Sequence, residues 1–93
     1  MKVITKSVVI RNREFVLIED TQNGHHFFGT IPYEELDENG RMKRALNGFQ
    51  MCIGYNNIAE ALKRREDAIK IDEWQAQNPN ATEIDRINFI MSI

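Results

Sequence analysis

Residues 57–77 read NIAEALKRREDAIKIDEWQAQ, and this stretch decides the fold because it is the only long segment whose helical period can be counted. Asn57 is a favourable N-cap, and Glu60 three residues later completes the pattern of a capping box. Pro79 follows and stops a helix. The sequence therefore predicts an α-helix over residues 57–77, after a sheet of about residues 3–53.

The predicted helix carries apolar residues on two sides. At about 100° per residue, one stripe contains Ile58, Ala61, Leu62, Ile69 and Ala76. Arg65 and Asp72 fall at the edge of this stripe, while Ile71 and Trp74 lie on nearly the opposite side. A helix that is apolar on two sides must pack on more than one surface.

Three strands are predicted before this helix because β-branched and aromatic residues cluster there. They cover residues 3–10, 14–19 and 25–31. Asn23-Gly24 predicts a two-residue type I′ turn. Pro32 ends the third strand because it has no amide hydrogen to donate.

The second strand has apolar residues on both faces. Phe15 and Leu17 point one way, and Val16 and Ile18 point the other. A strand buried on one side only alternates apolar with polar residues. The sheet is therefore predicted to be covered twice, by its own helix and by something else.

The connection before the main helix is harder to interpret. Residues 32–36 suit a single helical turn, since proline favours the first helical position. Residues 37–40 and 47–48 have turn compositions. Residues 41–46 and 49–53 are predicted as a short fourth and fifth strand, with a helical turn as the alternative for the letters MKRAL.

A second helix is predicted over residues 83–93, capped by Thr82 and Asp85. It is apolar on nearly all sides, with Ile84, Ile87 and Met91 on one stripe and Phe89, Ile90 and Ile93 on the far side. Such a helix needs a partner surface, and a second copy of the chain is the simplest one, so a homodimer or higher homo-oligomer is predicted. The alternative is a monomer whose last helix wraps fully around its own core.

Composition bounds the class of protein. Residues 1–93 are predicted to form a single α+β domain. The net charge of −2, from 12 basic and 14 acidic side chains, argues against general nucleic-acid binding. No apolar run suits a membrane span or a signal peptide, which predicts a cytoplasmic protein. The single cysteine, Cys52, excludes an internal disulfide and is expected to be a small buried hydrophobe.

Patterns that carry catalysis or metal binding are weak. His25 and His26 are neighbours on a predicted strand, where they point to opposite faces and cannot share a metal ion. Ser7, Ser92 and Cys52 lie in no recognised nucleophile frame. The sequence therefore predicts a protein that is not an enzyme, with no metal site and no cofactor.

Basic and aromatic residues are interleaved around the start of the main helix. The candidate ligand residues are Phe28, Arg41, Lys43, Arg44, Phe49, Tyr55, Arg64 and Arg65, with Lys63 beside them. Guanidinium groups bind phosphates and flat rings stack on bases, so the mix predicts a nucleotide pocket. Alternatively, the basic residues pair with neighbouring acids, as Arg64 would with Glu60, and the aromatic residues are core.

Two segments follow the predicted sheet in an order that can be compared with a known family. Residues 29–40 read GTIPYEELDENG, residues 41–49 read RMKRALNGF, and two helices follow. This architecture resembles the phage-encoded Thoeris anti-defence sponges. The resemblance implies a non-enzymatic homo-oligomer that sequesters a cyclic nucleotide or cyclic ADP-ribose-type immune signal between protomers in the host bacterial cytoplasm. In that mechanism the diphosphate is held by Arg41, Arg44, Arg64 or Arg65, and the adenine stacks on Phe28, Phe49 or Tyr55.

Two other functions remain open at this stage. A small phage or mobile-element inhibitor of a protein target, such as a CRISPR effector, would expose Trp74 or Tyr33 on an open patch. A sponge would instead hide its aromatic residues beside arginines. A nucleic-acid module is disfavoured by the isoelectric point of 5.6.

Overall fold

A four-stranded antiparallel sheet followed by two α-helices forms the chain, which confirms the predicted α+β class; the computed structural model describes residues 2–46 and 50–93. The elements are β1 (Lys2–Ile10), β2 (Arg13–Gln22), β3 (His25–Pro32), a 3-10 turn (Tyr33–Glu35), β4 (Cys52–Gly54), α1 (Ile58–Gln77) and α2 (Glu83–Ser92). The strand order is β1-β2-β3-β4, so each strand pairs with its neighbour along the chain. None of the described helices is both long and apolar enough to cross a membrane.

Two-residue turns join the first three strands. Arg11 and Asn12 have φ angles of 48° and 66°, and Asn23 and Gly24 have φ angles of 53° and 78°. Positive φ at both central positions is the type I′ geometry, whose twist matches that of the paired strands. The turn predicted from Asn23-Gly24 is confirmed, and these turns fix the register of the sheet.

One face of the sheet is covered by α1. The Arg65 guanidinium lies 4.6 Å from the centre of the Phe15 ring in β2 and hydrogen-bonds to Thr30 in β3. Side chains alternate along a strand, so Leu17 faces α1 together with Phe15, whereas Ile18 faces away.

The opposite face is covered by the chain itself. Ile18, Phe27 and Ile31 form a buried cluster on that face. Partly buried residues of the following connection and of β4 pack against it, namely Leu36, Met42, Leu46, Met51 and Ile53. Both faces of the sheet are therefore covered, as the apolar pattern of β2 predicted. The face opposite α1 is covered by residues of the same chain, so no other molecule is needed there.

The strand predicted over residues 41–46 is wrong. Its ladder is limited to a single bridge between Leu36 and Met42, and the letters MKRAL form no helical turn either. The Asp37 carboxylate accepts from the amides of Asn39 and Arg41, at 2.8 and 2.9 Å. These amide groups are therefore not available for hydrogen bonds to a neighbouring strand.

The last predicted strand is shorter than expected. β4 comprises Cys52–Gly54 and pairs with β3. Residues 47–49 lie outside the described residues, so the predicted Asn47-Gly48 turn and Phe49 are not described. The single turn predicted near Pro32 is present as the 3-10 turn.

α1 starts as predicted, and Ala61 and Ile69 of the predicted stripe are buried. The Asn57 side chain accepts from the Glu60 amide at 2.8 Å, whereas the Glu60 carboxylate accepts from Arg64 instead of completing a capping box. Arg65 is only 5% exposed and lies at the centre of the buried face, not at its edge. Ile58 is exposed because it lies at the end of the helix.

α2 is capped at its start and packs on α1. Thr82 and Asp85 exchange both hydrogen bonds of a capping box. The Phe89 ring stacks on the Trp74 ring of α1, with centroids 4.9 Å apart and planes 10° from parallel. The other side of α2 faces outward, so this helix does not wrap around its own core.

Candidate functional site

The residues predicted to bind a nucleotide do not converge on one site. Tyr55 and Arg64 line one groove, and Arg44 and Arg65 line a different cavity. Phe49 is outside the described residues. The remaining three lie elsewhere, as described below.

The first site, which we call the Tyr55 groove, lies between β4 and α1 and has a volume of about 360 Å³. Its lining residues are Cys52, Ile53, Tyr55, Arg64, Asp67, Ala68 and Ile71. The Tyr55 ring follows directly after β4 and is 58% exposed. The groove thus offers apolar walls, a flat ring and a guanidinium group, which suits a ligand with an aromatic base and an anionic group.

Charge in the Tyr55 groove is largely balanced. Arg64 donates from Nε and Nη2 to one oxygen of Glu60, at 3.3 and 2.9 Å. No described residue accepts from Arg64 Nη1, which leaves that nitrogen for another acceptor. Asp67 at the rim accepts from Lys63 at 2.7 Å. The pairing of Arg64 with Glu60, which the sequence allowed as an alternative, is present.

The second site, the Arg65 cavity, has a volume of about 320 Å³. It is lined by Arg13, Pro32, Glu34, Glu35, Arg44, Gln50, Arg65 and Asp72. Arg65 donates to the Thr30 hydroxyl and carbonyl oxygen, both at 2.8 Å, and to the Gln50 carbonyl oxygen. Burial lowers the pKa of Arg65. These bonds give Arg65 a structural role.

Arg44 is also paired with a neighbouring carboxylate, that of Glu35. Its guanidinium makes a two-bond contact with the Glu35 carboxylate, at 3.0 and 2.9 Å. This hydrogen bonding lowers the pKa of Glu35 and raises that of Arg44. Around the Arg65 cavity the three guanidinium groups face three carboxylates, so the cavity has no net charge to attract an anion.

The other three predicted ligand residues are apart from both sites. Arg41 and Lys43 are exposed on the connection that covers the face opposite α1. Phe28 is half-buried on β3, and its ring meets the His26 ring edge-on at 5.2 Å. His26 Nε2 lies 2.8 Å from a Glu19 carboxylate oxygen.

Sequence reasoning did not single out Asp67 or Ile71 as groove residues. Ile71 had a detectable signal, since it lies on the second apolar side of α1. Asp67 follows Lys63 at the i, i+4 spacing of a helical ion pair, but that spacing by itself marks a solvated helix face.

The outward side of α2, which was predicted to need a partner, carries three exposed apolar side chains. We call Ile84, Ile87 and Met91 the α2 stripe; they are 70%, 46% and 79% exposed. Isolated exposed aliphatic residues are normal, whereas three on one helical face form a candidate interaction surface. Tyr33 is also exposed, whereas Trp74 is half-buried under Phe89.

A second apolar surface lies between β1 and α1. We call it the β1 groove; it has a volume of about 550 Å³ and is lined by Val8, Val9, Ile10, Ala59, Leu62, Lys63 and Glu66. It runs between the outermost strand of the sheet and the first turns of α1.

The described part of the chain holds neither a metal-binding cluster nor an activated Cys52 thiol. Among residues 2–46 and 50–93, no cluster of three or more His, Cys, Asp or Glu side chains could hold a metal ion. Cys52 is buried as predicted, and burial raises the pKa of its thiol. A thiol in this state is a poor nucleophile.

Comparison with protein families, with curated proteins and with solved structures gave no match to this chain. The resemblance to the Thoeris anti-defence sponges therefore stays a prediction.

Proposed function

We propose that this protein is a non-enzymatic binding protein that engages a protein partner through the α2 stripe. The observation that carries the proposal is the exposure of Ile84, Ile87 and Met91 on one face of a capped helix. The capping box satisfies amide groups of the first turn of α2, which favours a well-formed helix at Ile84.

The spacing of the stripe supports docking of a helix into a groove. Residues at i, i+3 and i+7 lie on one face and act as anchors in this mode of recognition. Burying each large apolar side chain is worth about 1.5–3 kcal/mol. The free energy gained by burying the three side chains must exceed the cost of association, which comes from lost translational and rotational freedom.

The test uses substitutions that leave folding intact. Ile84 and Met91 are highly exposed, so Ile84→Glu and Met91→Glu remove the apolar surface with little effect on stability. Gln77→Glu is the matched control, because it adds the same charge at an exposed position of α1 outside the stripe.

We expect the parent chain and the control to retain the same protein partner in affinity capture, with a second copy counted as a partner. Both stripe variants should lose it by at least tenfold. Retention of the same partner by Ile84→Glu and Met91→Glu would contradict the proposal, as would a parent chain that binds no protein.

A second candidate function is sequestration of a nucleotide-type signal, as in an anti-defence sponge. It is favoured by the juxtaposition of Tyr55 and Arg64 in one groove, with Arg64 Nη1 available to a phosphate. In this function the Tyr55 ring stacks on the base and the signal is held without being cleaved.

Native mass spectrometry with cyclic ADP-ribose and with cyclic dinucleotides tests this second function. Binding should appear as one nucleotide mass per groove and be lost in Arg64→Ala and Tyr55→Ala. Arg41→Ala is the control, because Arg41 is an exposed arginine on the connection that covers the face opposite α1. No added mass on the parent chain, or unchanged binding by Arg64→Ala, would exclude this groove as the nucleotide site.

A further inference from the structure

We propose that the Arg65 cavity binds a small zwitterion, a molecule that carries both a carboxylate and an ammonium group, such as a free amino acid. This site goes beyond the α2 stripe, because none of the described residues of α2 lines the cavity. Its volume of about 320 Å³ is at the lower end of the range of about 300–1,000 Å³ for ligand pockets. The size of the cavity therefore suits a small metabolite.

Arg65 provides a hydrogen-bond donor that the described chain does not satisfy. This residue lines the cavity and is only 5% exposed. Its Nε and Nη2 donate to oxygens of Thr30 and Gln50, whereas Nη1 has no acceptor among residues 2–46 and 50–93. An unsatisfied donor on a largely buried side chain costs free energy, and a ligand carboxylate that accepts from it would remove this cost.

A second guanidinium group, that of Arg13, lies close to Arg65. The Cζ atoms of Arg13 and Arg65 lie 5.4 and 4.6 Å from the centre of the same Phe15 ring. Arg13 is exposed, and no described carboxylate forms an ion pair with it. The two guanidinium groups therefore form the end of the cavity that binds a carboxylate.

Two carboxylates of the cavity also lack a paired cation. Glu34 and Asp72 line the cavity, and neither forms an ion pair with a described residue. Burial lowers the pKa of Arg65, while among the weaker influences the charges of Asp72 and Glu34 raise it. Both carboxylates are thus near enough to act on Arg65 without contacting it, and they form the end of the cavity that binds an ammonium group.

The balance of charge selects a ligand with both signs. Arg44 and Glu35 satisfy each other through two hydrogen bonds and act as a wall. Two guanidinium groups and two carboxylates remain, and their charges cancel. A simple anion would be repelled by the carboxylates and a simple amine by the arginines, whereas a zwitterion is attracted at both ends.

An NMR titration of the full chain, labelled so that each backbone amide gives a signal, tests this site. The probes are the common L-amino acids, added one at a time. At least one of them should shift the amide signals of residues that line the cavity and should reach saturation. Its carboxamide lacks the carboxylate and its N-acetyl derivative lacks the ammonium group. Each derivative should bind at least about tenfold more weakly, because it loses a charge-assisted contact.

Substitutions at each end of the cavity locate the ligand. Arg13→Gln and Asp72→Asn remove one charge each at exposed positions, so the fold should be retained. Both should weaken binding of the amino acid by at least about tenfold. The controls are Arg41→Gln and Glu38→Gln, which change charge in the same way at exposed positions outside the cavity and should bind as the parent chain does.

Three results would overturn the zwitterion site. The first is a titration in which no amino acid gives saturable shifts. The second is a carboxamide or an N-acetyl derivative that binds as tightly as the amino acid itself. The third is unchanged binding in Arg13→Gln and Asp72→Asn. None of these results bears on the α2 stripe, which has its own test in Ile84→Glu and Met91→Glu.

Discussion

Arg65 of α1 donates two hydrogen bonds to Thr30 of β3, from Nε to the hydroxyl oxygen and from Nη2 to the carbonyl oxygen, each at 2.8 Å. The same Nη2 also donates to the carbonyl oxygen of Gln50 just before β4. One guanidinium thus joins the helix to the sheet and to the segment that leads into the last strand.

We therefore expect Arg65→Met to lower the free energy of unfolding by about 3 kcal/mol, because buried carbonyl oxygens lose charged donors. Urea denaturation measures the effect. Arg64→Met is the matched control, since Arg64 is exposed and should change stability by less than about 0.5 kcal/mol. Equal losses of unfolding free energy in Arg65→Met and Arg64→Met would show that Arg65 does not link α1 to the sheet.

Gly54→Ala should be more destabilising than Gly24→Ala. A Cβ on Gly54 would lie 2.5 Å from the Ala61 amide nitrogen, so α1 must move away from β4 at a cost of about 2–3 kcal/mol. Gly24 has open space around it and a φ of 78°, so alanine there costs about 1 kcal/mol of backbone strain. Thermal unfolding of both variants gives the comparison, and a smaller loss for Gly54→Ala would refute the close helix approach.

Cys52 should be unreactive toward thiol reagents in the folded chain. The side chain is buried, and burial raises the thiol pKa above its ordinary value of 9.0. Because the folded pKa is raised, its contribution to stability is complete below pH 9.0 and is lost as the pH rises through the folded pKa. Modification by a chromogenic disulfide should be slow in buffer and fast in urea, whereas rapid labelling of the folded chain would place Cys52 at the surface.

The contact between Arg11 and Glu73 should make the chain sensitive to acid. Arg11 donates from Nε and Nη2 to the two oxygens of Glu73, at 3.2 and 2.6 Å, and this hydrogen bonding lowers the pKa of Glu73. A carboxyl with a lowered folded pKa stabilises the fold above its unfolded value of about 4.5, and that stability is lost as the pH falls through the folded pKa.

Glu73→Gln should therefore show a smaller fall in the urea midpoint between pH 6 and pH 3 than the parent chain. Glu38→Gln, at an exposed turn position, is the control and should fall as the parent does. High salt should shrink the difference, because both side chains are exposed to solvent. Parallel pH profiles for the parent and Glu73→Gln would disprove a role for this pair.

Phe89→Ala should release α2 without unfolding the sheet. Trp74 is the only tryptophan and stacks on Phe89, so its fluorescence emission should shift to longer wavelength as water reaches the ring. The urea midpoint of the sheet should stay nearly constant, because the lost Phe89 ring packs on Trp74 of α1. Ile84→Ala, on the exposed side of α2, should leave the emission unchanged, and a global loss of stability in Phe89→Ala would show that α2 is part of the core.

Local signals in the sequence predicted most of the elements. Asn23-Gly24, Asn57 and Thr82 each act through a few neighbouring atoms, either by tolerating positive φ or by accepting from an amide three residues later. Such signals need no knowledge of distant residues. The turns and helix starts that they mark were therefore placed correctly.

The errors arose where a side chain outside the predicted element decides the outcome. The strand predicted over residues 41–46 fails because the Asp37 carboxylate captures the nearby amides. Arg65 looked like a ligand for phosphate, yet its acceptors are on Thr30 and Gln50, 35 and 15 residues away in sequence. A helical projection places its side chain but cannot supply those acceptors.

The candidate site was predicted in composition but not in geometry. Tyr55 and Arg64 do meet in one groove, because β4 ends beside the second turn of α1. Arg44 was assigned to the same pocket, although its guanidinium pairs with Glu35 in a contact that joins the 3-10 turn to the connection after it. No periodicity in the sequence predicts such a pair.

The neighbour-to-neighbour order of the strands also sets a sequence for folding. β1, β2 and β3 are joined by two-residue turns, so their pairing closes very short loops and has little entropic cost. β4 instead pairs with β3 only after the loop of residues 33–51 closes. α1 packs on both β3 and β4. We expect the three-stranded hairpin pair to form early, the closure of that long loop to limit the folding rate, and α2 to dock last.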